Sequence, residues 1–156
     1  MIKVLIADDQ ELIRQSLQIV LNSKQDIEVS DVAANGQEVI QCIRKNKPDI
    51  ILMDIRMPKM TGIEVVQAAV ESGYTGKFII LSGVTDFKLA QTAMRYGVDF
   101  YLTKPIDEDE LEQAVSAVHE LILKEAQSQT SYEQDRNKAK HNIFKEILLG
   151  TCDYYK

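Results

Sequence analysis

Asp8, Asp9, Asp54, Ser82 and Lys104 are suited to one reaction, and each lies at or just beyond the end of a short apolar run. Three carboxylates, a hydroxyl and an amine brought together suit phosphoryl transfer to a carboxylate. Clustered acids repel one another and hold their protons more tightly unless a cation sits among them. Oxygen-only ligands open to water fit Mg²⁺, which takes one or two carboxylates together with phosphate oxygens. Such a cation lets an anionic aspartate attack an anionic phosphoryl donor, while Lys and Ser donors hold the remaining oxygens. The product, an acyl phosphate on Asp, is an established type of covalent intermediate.

Taken singly, each of these residues has a plainer explanation. Asp8-Asp9 also reads as a turn and helix N-cap, and Asp54 in MDIRMP as a turn-opening acid before Pro58. Ser82-Gly83 reads as loop chemistry, and Lys104-Pro105 as a solvated lysine ahead of a helix. Their shared position favours the chemical reading. In open α/β sheets, ligands bind beyond the carboxyl ends of the strands.

The elements that must position them follow from the apolar pattern. Strands are expected at Lys3–Ala7, Ile27–Ala33, Ile50–Met53, Phe78–Leu81 and Phe100–Leu102. IILM and FIIL are continuous rather than alternating, as in parallel strands covered on both faces. Between the strands, Ile13, Leu17, Val20 and Leu21 recur on one face of a helix. Val66 and Val70 form a weaker stripe, as do Ala90, Ala93 and Met94; Leu111, Ala114, Val115, Val118, Leu121 and Ile122 form the clearest. Thr61 with Glu64 has capping-box spacing, Asp107 with Glu110 resembles it, and Gly73 and Gly97 stand where helices should stop. Strand–helix alternation of this kind predicts a doubly wound, five-stranded parallel sheet with right-handed crossovers.

The 45% hydrophobic and 27% charged fractions are those of a globular chain, and at 156 residues it has room for one domain and little more. No run approaches the ~18 apolar residues of a membrane span, and MIKVLIADDQ lacks the basic start of a signal peptide. Cys42 and Cys152 make no disulfide framework or zinc cluster, so a reducing cytoplasm is the expected location. Residues 1–125 carry 13 Lys and Arg against 20 Asp and Glu, a net of −7; residues 126–156 carry 5 against 4. So acidic a body argues against DNA binding by this chain, since neutralising phosphates takes clustered basic residues. After about Lys124 the character changes. Gln127–Ser131 is a polar break, and Ile143, Phe144, Ile147 and Leu148 end a second helical stretch. The domain reading is therefore a body over residues 1–124 and a helical extension over residues 125–156.

The segments VLIADDQ, DIILMDIRMPKMTGIE, FIILSG and GVDFYLTKP together resemble the receiver domain of bacterial two-component response regulators, over residues 2 to about 124. That resemblance implies the flavodoxin-like strand order 2-1-3-4-5 with five helices. It implies that Asp54 accepts a phosphoryl group from a sensor histidine kinase and that the chain is not an enzyme in its own right beyond self-dephosphorylation. Mg²⁺ would be held by Asp9, by Asp8 through water or in support, by Asp54 and by the Arg56 carbonyl. Lys104 would pair with the phosphoryl group and Ser82 would reorient to bond it. Tyr101 would swing inward with Ser82, and Pro105 falls where the family has a cis peptide. Arg56 and Val84 occupy positions that tune dephosphorylation in the family. The stretch LSGVTDFKLAQTAMRYGVDFYLTKPIDEDEL further resembles regulators carrying an AraC-type helix-turn-helix module. No such module fits in this chain, so a chain cut from a longer transcription regulator is expected. Leu111, Val118, Ile122, Tyr132 and Ile143 make a broken heptad, which leaves a coiled-coil homodimer and a solvated linker helix both open.

Other readings fit less well. A haloacid-dehalogenase-type phosphatase needs a second Asp where Arg56 stands. An FMN-binding flavodoxin needs Ser, Thr and Gly after the first strand, where this chain has ADDQE, and no GxxxxGKS or GxxxxGKT phosphate loop is present. A receiver-like module that acts by protein interaction without phosphorylation is the remaining alternative, although none of its acidic residues is missing.

Overall fold

Residues 1–134 are described by a computed structural model. Five parallel strands, β1 (Ile2–Ala7), β2 (Ile27–Ala33), β3 (Ile50–Asp54), β4 (Lys77–Ser82) and β5 (Phe100–Thr103), pair in the order β2-β1-β3-β4-β5. Helices α1 (Glu11–Asn22), α2 (Gly36–Asn46), α3 (Gly62–Glu71), α4 (Phe87–Arg95) and α5 (Glu108–Gln134) alternate with them, and a short 3₁₀ turn, Val84–Asp86, precedes α4. This is the flavodoxin-like order expected from the resemblance.

The central strands owe their place to uninterrupted apolar runs. Every residue of β3 is buried, as are Val4–Ala7 of β1 and Phe78–Ser82 of β4. Strand periodicity then divides them between two faces. Leu5, Ala7, Ile51, Met53, Phe78 and Ile80 pack with Val39, Ile43, Val65, Val66, Ala69 and Ala93 from α2, α3 and α4. Residues of the opposite parity, Val4, Ile6, Ile50, Leu52, Ile79 and Leu81, are equally buried; Leu17 and Leu21 of α1 and Leu111–Val118 of α5 supply the remaining apolar cover. Edge strand β2 is more exposed and carries a register irregularity opposite Val4 and Leu5.

Helix punctuation is local chemistry. The Thr61 hydroxyl accepts from the Glu64 N–H while the Glu64 carboxylate reaches back to the Thr61 N–H, a complete capping box. Asp107 accepts from the Glu110 N–H, and Gly73 and Gly97 take positive φ values of 90° and 107° at their helix ends.

Two expectations are corrected. Val70 and Met94, in the last turns of α3 and α4, are 52% and 40% exposed, so the apolar stripes that they close are not buried to their ends. The polar segment after Ala126 does not interrupt α5, since Gln, Ser and Thr without Gly or Pro tolerate a helix. Leu111 and Val118, two positions of the broken heptad, are buried at 1% and 0% exposure and are spent on packing within their own unit. Ile143, Phe144, Ile147 and Leu148 lie outside the described residues. Met1–His119 form one compact unit, and residues from Glu120 belong to a second, whose described part is the remainder of α5. Among the described residues no helix is long and apolar enough to cross a membrane.

Candidate functional site

In this strand order β1 and β3 are neighbours although three elements, α1, β2 and α2, separate them in sequence, and their register aligns Ala7 with Met53. Asp8 follows the last residue of β1 and Asp54 is the last residue of β3, so the two emerge side by side. Such a crevice, where the strand order reverses, is where doubly wound sheets bind ligands. Carboxylate oxygens of Asp8, Asp9 and Asp54 all lie within 4.8 Å of one another. Asp8 is fully buried and Asp54 is 7% exposed, whereas Asp9 is exposed.

Lys104, delivered by the turn after β5, is the cation of this cluster. Its Nζ lies 3.0 Å from Asp8 Oδ2 and 3.0 Å from Asp54 Oδ2. The other oxygens are held by the backbone: the Gln10 N–H donates to Asp8 Oδ1 at 2.9 Å and the Arg56 N–H to Asp54 Oδ1 at 3.2 Å. Asp8 therefore satisfies both sequence readings at once, as a turn former through one oxygen and a site acid through the other. Burial works against the Lys104 charge, but hydrogen bonds and attraction from Asp8 and Asp54 outweigh it and hold the ammonium above its ordinary pKa. Burial also pushes the Asp54 carboxyl above its ordinary value, against the favourable contacts of Lys104 and the Arg56 N–H; nearby Asp8 adds to the rise.

The loop after Asp54 is held close by a glycine. The Gly62 N–H donates to the Ile55 carbonyl at 2.8 Å, and a Cβ at Gly62 would stand 2.9 Å from the Ile55 Cα. Only glycine lets the start of α3 fold this tightly onto the end of β3. Ser82 ends β4 at 2% exposure, and its carbonyl accepts from the Lys104 N–H at 2.7 Å.

The response regulator receiver domain family matches residues 4–116. The chain belongs to that family. The transcriptional regulatory protein LnrK of Bacillus subtilis is 36% identical over 119 residues, 76% of this chain and 54% of LnrK. YesN, a transcriptional regulatory protein of the same organism, is 31% identical over 144 residues, 92% of this chain and 38% of YesN. Among solved structures, the REC domain of AraT, a response regulator from Geobacillus stearothermophilus, matches with a TM-score of 0.73 at 33% identity, covering 80% of this chain and 97% of that one. The chain thus spans about half or less of the length of these curated relatives.

The remaining expected site residues of this receiver domain are Pro105, Tyr101 and Arg56. The Lys104–Pro105 peptide bond is cis. Tyr101, half-buried on β5, packs edge-on against Phe87, with ring centroids 6.4 Å apart. Phe87 opens α4 and is itself 51% exposed. Arg56, expected as a metal ligand through its carbonyl, also uses its side chain, which donates from Nε to Asp86 Oδ1. Asp86 is 6% exposed and escaped the sequence reading. Its one signal there was position: an acid just past β4, at the same sheet edge as the other site residues.

Proposed function

We propose that this receiver domain is the phosphorylation-driven switch of a two-component transcription regulator, with Asp54 as phospho-acceptor. The observation that carries the reading is the buried Asp54 carboxylate, at the switch point of the sheet, within reach of Asp8, Asp9 and Lys104. An Asp54 oxygen forms a bond to phosphorus as the phosphorus–nitrogen bond of a sensor histidine kinase's phosphohistidine breaks. Lys104 leaves its carboxylate contacts in part to hold a phosphoryl oxygen, and Ser82 brings its hydroxyl to another. Asp9, Asp54, the Arg56 carbonyl and Asp8, directly or through water, are the residues that would hold Mg²⁺. Three carboxylates and a carbonyl match its preference for oxygen, and the ion would offset the charge shared by acceptor and donor.

The phosphoryl group adds roughly −1.5 to −2 charge next to Ser82 and Lys104, which biases the packing of α4, β5 and Tyr101. That face then governs an output domain of the AraC-type helix-turn-helix class in the cytoplasm, and pairing with a second copy of the chain. The match to YesN supports a longer parent protein, since it runs over 144 residues, well beyond the receiver family's own span.

The test is intact-mass spectrometry of the protein incubated with acetyl phosphate. Gain of one phosphoryl mass with Mg²⁺, and none with a chelator, is expected. A folded protein that gains no mass under either condition would instead be an interaction module that works without phosphorylation. The metal site has its own readout. Mg²⁺ at ten times its dissociation constant should stabilise the fold by about 1.4 kcal/mol, or a rise of roughly 3–5 °C in melting temperature. Asp9→Ala should lose most of that rise, because Asp9 is the exposed acid of the cluster. An undiminished rise in Asp9→Ala would place the ion elsewhere.

A further inference from the structure

The Arg56–Asp86 pair joins the two loops on either side of the acceptor. Arg56 stands two residues beyond Asp54, and its N–H is already 3.2 Å from Asp54 Oδ1. Asp86 closes the 3₁₀ turn that begins two residues beyond Ser82, and its N–H donates to the Gly83 carbonyl at 3.0 Å. The two ends of the bridge differ in kind. The Asp86 side chain is 7% exposed, whereas that of Arg56 is 66% exposed. A buried carboxylate is costly without a partner, while an exposed guanidinium is free to exchange one anion for another. Asp86 also occupies the N-cap position of α4, yet its side chain makes no capping hydrogen bond. Its carboxylate is committed to Arg56 instead of to the helix it precedes.

We propose that the Arg56–Asp86 ion pair is a latch that holds the corner between β4 and α4 in its unphosphorylated arrangement, and that a phosphoryl group on Asp54 opens it by competing for the Arg56 guanidinium. This rests on Asp54 being the acceptor. A phosphoryl group brings more charge than a carboxylate, and its oxygens match the planar donor fork of arginine. Once Arg56 turns to it, Asp86 loses its partner and the corner that carries Ser82 and the start of α4 is released to repack. Asp86 then becomes available to cap α4, a second favourable state for the same side chain. Asp86 acts here as a positioning residue, through Arg56.

The experiment is a double-mutant cycle of Arg56→Ala and Asp86→Asn, with Asp86→Glu as the conservative variant. Beryllium fluoride with Mg²⁺ serves as the phosphoryl mimic, and its half-saturating concentration is read by titration calorimetry. Asp86→Asn is expected to lower that concentration about fivefold, the upper range for a partly exposed pair. The gain should vanish when Arg56→Ala is already present, and Asp86→Glu should restore the wild-type value. Equal effects of Asp86→Asn with and without Arg56 would overturn the latch. If wild type takes up no beryllium fluoride, the acceptor reading falls and the latch with it; if it does and the coupling is nil, only the latch falls. Hydrogen exchange gives a second route through the exposed partner, should Asp86→Asn not fold. Arg56→Gln should speed amide exchange over residues 83–90 in the free protein and leave it unchanged with beryllium fluoride bound. Unchanged exchange in the free protein would overturn the latch equally.

Discussion

Asp54→Asn is expected to abolish the gain of phosphoryl mass from acetyl phosphate and, without metal, to melt about 2–4 °C higher than wild type at neutral pH. The first effect follows from removing the nucleophilic oxygen pair. The second follows from burial. Desolvation holds the Asp54 carboxyl above its ordinary value of 3.8 despite the Lys104 contact. A group whose folded pKa is raised binds its proton more tightly in the folded state. Its ionisation therefore weakens folding progressively as pH rises from the unfolded pKa through the folded one, and the full cost persists above it. Asparagine fits the same space, still accepts from the Arg56 N–H, and removes one charge from the cluster. A gain of about 1 kcal/mol corresponds to the stated shift for a chain of this size. The difference should shrink as pH falls toward the ordinary value of 3.8, because the folded wild-type carboxyl, with its raised pKa, takes up its proton on the way. Scanning calorimetry between pH 4 and 8 measures it, and an Asp54→Asn protein melting below wild type throughout would contradict the desolvation account.

Lys104→Met is expected to have the opposite sign and a larger size, a loss of about 2–4 kcal/mol at neutral pH without metal. Breaking a buried pair by removing one partner leaves the other charge uncompensated. Here one removal strands two carboxylates, because Lys104 Nζ is 3.0 Å from both Asp8 and Asp54. The side chain is 23% exposed, which places the cost at or somewhat below the lower half of the range for fully buried pairs. Methionine keeps the apolar stem, so packing changes little. The stranded charge has two remedies: acid, which neutralises the carboxylates, and Asp54→Asn in the same chain. The double variant should lose less than the sum of the single effects, as residues in one network do. Urea midpoints for the four proteins decide this, and strict additivity would mean that Lys104 acts through packing alone.

Much of the fold was legible because its cause is local. Each expected strand lies within the observed one and stops at most a residue short, since continuous apolar runs such as IILM have no exposed face to offer a helix or loop. The Thr61 and Asp107 caps were legible for the same reason, as their partners lie three residues away. Val70 and Met94 were misread because a helical stripe shows which residues share a face but not how far the neighbouring surface extends beneath them. The continuation of α5 through its polar segment was misread because composition changed there while helix propensity did not.

The chemistry of the site divides along the same line. The amino-acid sequence by itself determined which residue types stand at the strand ends: Asp8 and Asp9, Asp54, Ser82 and Lys104. It did so because strand ends are set by local hydrophobicity and side-chain chemistry by identity. Only the tertiary structure decided that Asp8 and Asp54 are adjacent, that one lysine serves both, and that Arg56 reaches Asp86 across 30 residues. Those pairings depend on strand order and register, which arise from burying both faces of one sheet at once and from no single segment. The depth of that burial also sets the charge balance at Asp54, lifting its carboxyl against the pull of the lysine beside it.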